Sequence, residues 1–233
     1  MRTVALILVD IQNDFLPGGA LAVPQGDEII ATVNKLTSAF DLVVATKDWH
    51  PKDHHSFALN HPGRTPGEVV QLDGLEQILW PAHCIQGTRG AEFALDLDTA
   101  YIDSIFFKGT DPLVDSYSCF FDNAHRRETG LREYLVRHGI TKVYLTGLAT
   151  DYCVKFSALD ALTLGFETHV IVDGCRGVNL KPEDSARALE EIKKAGGNLV
   201  QSDAVLIRRQ ARALQPLPLA RKPYVYEEDP RKG

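Results

Sequence analysis

Short apolar runs rich in β-branched residues recur along the chain, and helical patterns lie between several of them. The runs are hydrophobic at consecutive rather than alternating positions, which is typical of strands buried on both faces of a sheet. Six runs share this character: TVALILV (3–9), LVVAT (42–46), SIFF (104–107), KVYLT (142–146), HVIV (169–172) and NLVQ (198–201).

Helical patterns connect these runs and define the expected fold class. They cover about residues 25–40, 127–138, 151–164 and 183–195. The last two end near Gly165 and Gly196, as helices commonly do. Strands that alternate with helices through right-handed crossovers give a parallel sheet with helices on both faces. The sequence therefore predicts a doubly wound α/β domain around a mainly parallel six-stranded sheet.

The chain length suits one large domain. Of its 233 residues, 44% are hydrophobic and 24% are charged, which is ordinary for a globular protein with its own core. We expect the domain to span residues 1–207, with a long insertion at about 48–103 that carries function. The Pro-rich, charged extension at 208–233 is expected to run over the surface or onto a neighbouring subunit of a homo-oligomer.

The overall charge indicates which classes of partner the protein is expected to bind. A formal net charge of −6 argues against nucleic acid or an anionic membrane, so a small molecule is the expected partner. The first apolar run is too short to span a bilayer and lacks a small-residue cleavage site, so we expect a cytoplasmic protein. The glycine-rich stretch LPGGALAVPQG (16–26) contains neither G-x-G-x-x-G nor a Walker lysine, which counts against a nucleotide-phosphate site.

Chemically capable side chains follow four of the predicted strands. In open α/β sheets, ligands bind outside the carboxyl ends of the strands. Taken singly, each residue that follows a strand can be explained as an ordinary turn, surface or core residue. The parallel topology, however, places all of these residues at the same edge of the predicted sheet. They are Asp10 after the first strand, Asp48 and His50 after the second, Lys108 after the third and Cys153 after the fourth.

Cys153 differs from the other cysteines in its place at a predicted helix start. The four cysteines form no C-x-x-C pair and are expected to be free thiols. The positive end of a helix dipole favours a thiolate, and Lys108 would add to that effect. With Asp10 as proton acceptor and the backbone amides around Ala149 and Cys153 as oxyanion donors, the pattern predicts a nucleophile that attacks an amide carbon and forms a thioester.

A second group of residues has the composition of a metal site. Asp48 and His50 are two residues apart in an extended segment, and His83 in WPAHC is the expected third ligand. Mixed oxygen and nitrogen ligands suit Zn²⁺, Fe²⁺ or Mn²⁺. Alternatives remain for a further ligand or for contact with a metal-held water: His54, His55, His61 and Ser56.

Other residues have weaker signals. Phe15, Trp80 and Tyr117 are candidates for an aromatic slot, although large aromatic residues are often core residues. Cys84, beside His83, is not needed as a ligand. Four further residues without an evident partner are interpreted as caps or surface positions: Asp14, His125, His138 and His169.

Several blocks of the sequence resemble one family over roughly residues 3–205. The blocks LILVDIQNDFLPGGALAVPQG, KDWHP, WPAHC, FFKG, DPLVDSYSCFFDN, TGLATDYCVKFSALDAL and VDGCRGV occur in order. They are similar to those of the nicotinamidases, also called nicotinamidase/pyrazinamidases, of the isochorismatase-like cysteine hydrolase superfamily. Isochorismatases lack the nucleophilic cysteine, and carbamoylsarcosine-type amidases lack the D-x-H metal set, whereas both features are present here.

This resemblance implies a Rossmann-like strand order and hydrolysis of nicotinamide to nicotinate and ammonia, a step of NAD salvage, with pyrazinamide as an expected further substrate. A related cysteine amidohydrolase acting on another small amide is the alternative. The implied catalytic triad is Asp10, Lys108 and Cys153, and the implied oxyanion donors are the amides of Ala149 and Cys153, with a cis peptide bond before Ala149. The resemblance also implies that a divalent metal ion, foremost zinc, is bound by Asp48, His50 and His83 and holds the pyridine nitrogen of the substrate. The residues implied around the pyridine ring are Phe15, Trp80 and Tyr117.

Overall fold

The computed structural model describes residues 3–210 and 224–225. Most strands alternate with helices along the chain, as the apolar runs predict. The strands are β1 (Val4–Val9), β2 (Val43–Asp48), β3 (Val69–Leu72), β4 (Leu75–Ile78), β5 (Ser104–Lys108), β6 (Lys142–Leu148), β7 (Glu167–Arg176), β8 (Asn198–Val200) and β9 (Tyr224–Val225). The helices are α1 (Ile30–Thr37), α2 (Leu131–Arg137), α3 (Lys155–Thr163), α4 (Asp184–Lys194) and α5 (Ser202–Gln210).

Seven strands form one parallel sheet in the order β8-β7-β6-β1-β2-β5-β9. The six predicted strands all form, and the predicted Rossmann-like α/β fold is confirmed. The two-residue strand β9 adds a seventh strand beside β5, which the six-stranded prediction did not include. Strand order changes direction between β1 and β6, which is where such sheets open a ligand crevice.

The predicted helices are present with shorter bounds. Gly165 and Gly196, with φ of 86° and 100°, follow α3 and α4 as expected. Helix α5 was not predicted, and it crosses the expected domain boundary at residue 207. The boundary itself stays a prediction, as does the expected course of the tail, of which 211–223 and 226–233 lie outside the described residues. None of the helices formed by described residues has the length and apolar character needed to cross a membrane.

The core lies on both faces of the sheet. Alternate residues of β1 contribute to two hydrophobic clusters, with Leu6 and Leu8 on the α1 face and Ala5, Ile7 and Val9 on the face of α2 and α3. The whole strand is buried apart from its first residue. This double burial explains why the strand is apolar at consecutive positions.

The segment from 49 to 103 replaces the helix that would ordinarily connect β2 to β5. It contains the antiparallel hairpin β3–β4 and several short 3₁₀ turns. Its first residue is fixed to the end of β5, because Trp49 donates an N–H to the carbonyl of Lys108 at 2.9 Å, and His50 donates an N–H to the carbonyl of Cys84 within the segment at 3.0 Å. The insertion therefore covers the carboxyl end of β2 and carries side chains to the crevice.

Candidate active site

Three parallel strands carry Asp10, Lys108 and Cys153 to the same place. Asp10 directly follows β1, Lys108 ends β5, and Cys153 lies in a π-helical turn (Thr150–Val154) after β6. The Lys108 ammonium is 2.9 Å from Asp10 Oδ2 and 3.3 Å from Cys153 Sγ. A carboxylate oxygen of Asp10 lies within 4.8 Å of the sulfur, and all three side chains are buried. The structure thus brings the three predicted residues into one cluster.

The Lys108 side chain is surrounded by acceptors. Besides Asp10, its ammonium contacts Asp48 Oδ1 and donates to the carbonyl of Ser116 at 2.8 Å. Burial lowers the pKa of Lys108, but the two carboxylates outweigh that effect and raise the pKa well above its usual value. Lys108 therefore remains a fixed positive charge between two acids and the thiol.

The Asp10 carboxylate has two unlike oxygens. Oδ1 accepts a hydrogen bond of 2.6 Å from Thr46 Oγ1. Oδ2 faces the Lys108 ammonium as an ion pair but has no aligned hydrogen bond within the described part of the chain. Burial raises the pKa of Asp10 to about 6, although Lys108 acts in the opposite direction. A carboxylate with this pKa can both accept and return a proton near neutral pH.

The sequence predicted that the helix start and Lys108 would favour the Cys153 thiolate, with Asp10 as the acceptor of the thiol proton. The residue lies in the π-helical first turn of a helical segment that continues without a break into α3, as predicted. Burial raises the pKa of its thiol well above the usual value, and Lys108 only partly opposes this rise. The sulfur is therefore protonated at neutral pH, and its proton must move before it can attack.

The turn that holds Cys153 closes on the carbonyl of Ala149. The peptide bond between Leu148 and Ala149 is cis, as the resemblance implies. The N–H groups of Tyr152 and Val154 both donate to the carbonyl of Ala149, at 3.1 and 3.0 Å. Ala149 and Cys153, whose amides were predicted as oxyanion donors, therefore lie at either side of one tight turn that faces the pocket.

Glycine is required where β6 enters this turn. Gly147 has φ of 130°, and a Cβ there would lie 2.1 Å from the backbone oxygen of Val9 on the neighbouring strand. The sequence suggested that Gly147 permits a tight turn. The structure gives a second reason, because the backbones of β6 and β1 approach too closely for any side chain.

Asp48, His50 and His83 converge beside the triad. Asp48 Oδ2 lies 3.7 Å from Nε2 of each histidine, and all three residues are buried. Ligand atoms about 2.1 Å from one ion at tetrahedral angles are roughly 3.4 Å apart, so the observed spacing fits a single ion. Burial raises the pKa of Asp48, but Lys108 and His50 outweigh it and hold the pKa well below its usual range. The carboxylate is therefore ionised, as a metal ligand must be.

The two histidines are oriented as ligands. Nδ1 of His50 donates to the carbonyl of Gly109 at 2.9 Å, and Nδ1 of His83 donates to that of Pro81 at 2.8 Å, because a carbonyl oxygen can only accept. In the neutral imidazole, which is the form that binds a metal, each Nε2 then carries a free lone pair. His50 Nε2 is buried without a hydrogen-bond partner among the described residues. A lone pair left in this way fits a bound divalent cation.

The structure also distinguishes the alternative histidines. His54 is fully buried, and its ring centroid lies 4.4 Å from that of His50. Ser56 contacts Nδ1 of His54 at 2.7 Å through its hydroxyl, which fixes the imidazole. His55 is exposed, and the Nε2 atom of His61 lies 2.7 Å from the carbonyl of His55, so neither belongs to the cluster. His54 is the one of the three that can reach the site.

A pocket opens above the thiol. It encloses about 360 Å³ of space between the atoms, a volume that includes open solvent. The predicted aromatic residues Phe15, Trp80 and Tyr117 all line it. Trp80 Nε1 donates to Tyr117 Oη at 3.1 Å, so two of these aromatic residues are joined directly. Cys153 and the candidate metal ligands Asp48 and His83 line the same pocket.

The sequence analysis did not predict several residues that line the pocket. These residues are Leu21, Asp115, Tyr152 and Val178. Tyr152 directly precedes Cys153, and this adjacency was the available clue. The others come from loops whose approach to the pocket depends on the tertiary fold.

Residues behind the pocket were also missed. Gln12 clamps the end of β2, because its side chain accepts from the Asp48 N–H at 2.8 Å and donates to the Asp48 carbonyl at 2.8 Å. Asp14, which we interpreted as a cap or surface residue, accepts from the Cys84 N–H at 2.7 Å and so holds the loop that carries His83. His169, also expected at the surface, is buried and stacked on Tyr144.

Comparisons with known proteins agree with this geometry. Residues 4–204 match the isochorismatase domain family. The chain is 52% identical to the nicotinamidase of Escherichia coli strain K12, over 84% of this chain and 93% of that protein. It is similar to the solved structure of a nicotinamidase/pyrazinamidase of Acinetobacter baumanii, with 47% identity, a TM-score of 0.86 and coverage of 88% and 99%.

A second solved structure bears on the metal cluster. The pyrazinamidase of Pyrococcus horikoshii, determined in complex with zinc, is 43% identical and has a TM-score of 0.69, over 85% of this chain and 98% of that one. Together with the converging ligands described above, this likeness supports a divalent metal ion in the site. The match over most of the chain, the parallel sheet and the cluster at its switch point lead to one assignment: the chain belongs to the isochorismatase domain family.

Proposed function

We propose that this protein is a nicotinamidase that hydrolyses nicotinamide to nicotinate and ammonia through a thioester on Cys153. The observation that carries the proposal is the buried contact of Lys108 with both Asp10 and Cys153 at the floor of an aromatic pocket. Relatives that align with most of the chain are nicotinamidases, which fixes the class of reaction as hydrolysis of an amide C–N bond. This reaction is a step of NAD salvage, and we propose that it takes place in the cytoplasm.

The pocket walls select a flat aromatic amide. Phe15 and Trp80 offer apolar faces to a ring, while Tyr117 is tied to Trp80 and holds its orientation. The carboxamide carbon then faces Cys153 Sγ, and its oxygen faces the amides of Ala149 and Cys153. Pyrazinamide has the same ring size and the same carboxamide, so it is the second substrate that this pocket admits.

Acylation begins with a proton transfer. Asp10 takes the proton from the Cys153 thiol as Sγ attacks the carboxamide carbon and a C–S bond forms. The carbonyl electrons move onto oxygen, where the amides of Ala149 and Cys153 stabilise the negative charge. When the intermediate collapses, the C–N bond breaks, and Asp10 returns its proton to the leaving nitrogen, which departs as ammonia.

Deacylation uses the same groups again. Asp10 accepts a proton from a water molecule whose oxygen attacks the thioester carbon. The C–S bond then breaks, the sulfur leaves, and the proton on Asp10 returns to it. Lys108 keeps its charge throughout, and its position stabilises the sulfur anion whenever it forms. The product leaves as nicotinic acid, which releases its carboxyl proton to water and becomes nicotinate, and the free thiol is restored.

Asp48, His50 and His83 are the residues that would hold the metal ion, with zinc as the proposed ion and His54 as the nearest further ligand. When bound, a divalent ion supplies a Lewis-acidic centre with open positions for water or for a ring nitrogen. The chain's own contribution is orientation. Gln12 fixes the backbone of Asp48, and the carbonyls of Gly109 and Pro81 fix the two histidine rings.

The test is release of ammonia and nicotinate from nicotinamide by the wild-type protein and by Cys153→Ala. We expect turnover by the wild type and none by the variant, while the variant still binds nicotinamide. A panel of other small amides, assayed for ammonia, separates this proposal from the alternative of an amidohydrolase with another substrate. A higher kcat/KM for a different amide, with nicotinamide barely turned over, would reject nicotinamide as the substrate and leave the thioester chemistry standing.

A further inference from the structure

Thr46 is a fully buried residue of β2 whose hydroxyl contacts the proposed proton shuttle. Its Oγ1 donates the 2.6 Å hydrogen bond to Asp10 Oδ1. Thr46 precedes Asp48 by two residues, so the alternation of side chains along a strand directs both toward the same face of β2. The contact between Thr46 and Asp10 therefore follows from the register of β1 and β2 and does not depend on the conformation of the loop after β1.

The direction of this hydrogen bond is fixed by its surroundings. An ionised carboxylate can only accept, so the single hydroxyl proton of Thr46 is committed to Asp10. Cys119 Sγ lies 3.5 Å from the same hydroxyl oxygen and must then be the donor to it. Burial raises the pKa of Cys119 to about 12, so its thiol keeps the proton that it donates. A buried chain of donors runs from Cys119 through Thr46 to Asp10.

The chain of donors is anchored at its far end. The Cys119 N–H donates to Ser157 Oγ at 2.8 Å, and Ser157 is a buried residue of α3, the helix that follows the Cys153 turn. Two residues of the proposed reaction are therefore connected to α3. Cys153, the proton donor, lies in the turn that precedes it, and Asp10, the proton acceptor, is connected to it through Thr46, Cys119 and Ser157. Such a buried network has few alternative arrangements, because each unsatisfied polar group would cost free energy.

The two Asp10 oxygens are chemically equivalent in isolation, and Thr46 makes them different. With Oδ1 occupied, Oδ2 is the oxygen left beside Lys108, whose ammonium also contacts the Cys153 sulfur, and one carboxylate oxygen of Asp10 lies within 4.8 Å of that sulfur. Rotation of the carboxylate toward any other direction would break the 2.6 Å hydrogen bond to this buried hydroxyl.

We propose that Thr46 is a positioning residue of the reaction, whose hydroxyl fixes the Asp10 carboxylate so that Oδ2 receives the proton of the Cys153 thiol. This inference rests on the proposed function. In the step concerned, the S–H bond breaks, an O–H bond forms at Oδ2, and the electron pair of the sulfur attacks the substrate carbon. Thr46 itself neither gains nor loses a proton, and it does not touch the substrate.

The test compares Thr46→Ser with Thr46→Ala, two small replacements that differ by the hydroxyl oxygen. The serine variant should keep kcat within about threefold of the wild type, whereas the alanine variant should lose about 10- to 100-fold in kcat, since a hydrogen bond to a charged group is lost. KM for nicotinamide should change little in both, because the residue lies behind Asp10 and not in the pocket. Thr46→Val, which keeps the volume of the side chain, should repeat the loss seen with alanine.

Matched controls separate positioning from stability. Thr168 is an equally buried threonine of β7, whose hydroxyl donates to the carbonyl of Phe166 at 3.0 Å at the opposite end of the sheet. Thr168→Val should lower the melting temperature without lowering kcat. The proposal is overturned if the serine variant loses as much kcat as the alanine variant, or if the alanine and valine variants turn over at the wild-type rate. Absence of nicotinamide turnover in the wild type would instead reject the proposed function.

Discussion

The floor and the wall of the pocket are built in different ways. The floor, where Asp10, Lys108 and Cys153 meet, is formed by residues at the ends of three parallel strands. The wall, with Trp80, Tyr117 and the metal-type ligand His83, comes from the insertion after β2 and the loop after β5. In the proposed reaction, the strand ends supply the charged groups that carry out bond changes, and the loops supply the surfaces for the ring and the two histidines that join Asp48 of β2 at the candidate metal site.

The largest effect should come from removing the charge at the floor. Lys108→Met leaves the buried carboxylates of Asp10 and Asp48 without their shared cation, so we expect kcat to fall on the order of a thousandfold. Breaking a buried ion pair also costs about 3–5 kcal/mol in the free energy of unfolding. Lys47→Met is the matched control, because Lys47 is another buried lysine of the sheet but pairs with Glu92 at 2.6 Å. Kinetics and urea denaturation of both variants would measure this, and a Lys108→Met enzyme that keeps kcat within tenfold would contradict the assignment of the floor.

Loss of a metal-type ligand should have the next largest effect. His83→Ala should reduce the bound divalent metal, measured by elemental analysis of the purified protein, and lower kcat/KM by about 100-fold. The matched control is His61→Ala, since His61 lies in the same insertion but contacts the carbonyl of His55 outside the cluster. One equivalent of metal bound to the His83→Ala variant would show that His83 is not a metal ligand. Loss of metal from the His61→Ala variant would show that the metal site has been assigned to the wrong histidine.

The pH dependence tests the floor without a mutation. The pKa of Asp10 is raised by burial to about 6, and the mechanism needs this carboxylate deprotonated when it accepts the thiol proton. Activity should therefore be present above this pKa and fall as the pH decreases through it, by about tenfold in kcat/KM for each pH unit below 6. Circular dichroism at each pH shows whether the protein stays folded. A kcat/KM that is constant from pH 7 to pH 5 would exclude Asp10 as the base.

The smallest expected effect concerns the support of the wall. Gln77 is a buried residue of β4 whose amide nitrogen lies 3.3 Å from Tyr117 Oη and 3.2 Å from Asp115 Oδ2, and donates to both. Gln77→Leu should raise KM for nicotinamide about fivefold and leave kcat unchanged, since the hydrogen bond to Tyr117 Oη joins two neutral groups and contributes about 1 kcal/mol. Gln71→Leu, on the exposed side of the same hairpin, is the matched control. A fall in kcat with an unchanged KM would show that Gln77 affects the reacting groups of the floor and not the substrate-binding surface of the wall.

The sequence was more informative about the floor than about the wall. Asp10, Lys108 and Cys153 could be grouped because parallel strands bring their carboxyl ends to one edge, whatever the loops do. The protonated state of Cys153 could not be predicted in the same way, because it depends on complete burial, and burial outweighs the nearby ammonium.

Support residues were the hardest to predict. Gln12, Thr46 and Gln77 act through partners 36 to 40 residues away in sequence, and each occupies a position that local pattern would give to an ordinary strand or turn residue. Asp14 was interpreted as a cap or surface residue for the same reason, since its bond to the Cys84 amide spans 70 residues. Their contacts depend on strand register and on the course of the insertion, and neither is encoded in a short motif.

The most direct test of the account is to identify the covalent intermediate. Wild-type protein turning over nicotinamide would be quenched in acid and digested, and the peptide that contains Cys153 would be examined by mass spectrometry. The account predicts a nicotinoyl group on Cys153 that appears only with substrate and disappears when the substrate is exhausted. Full nicotinamide turnover by a Cys153→Ala enzyme, or an acyl group carried by Cys84, Cys119 or Cys175 instead, would contradict it.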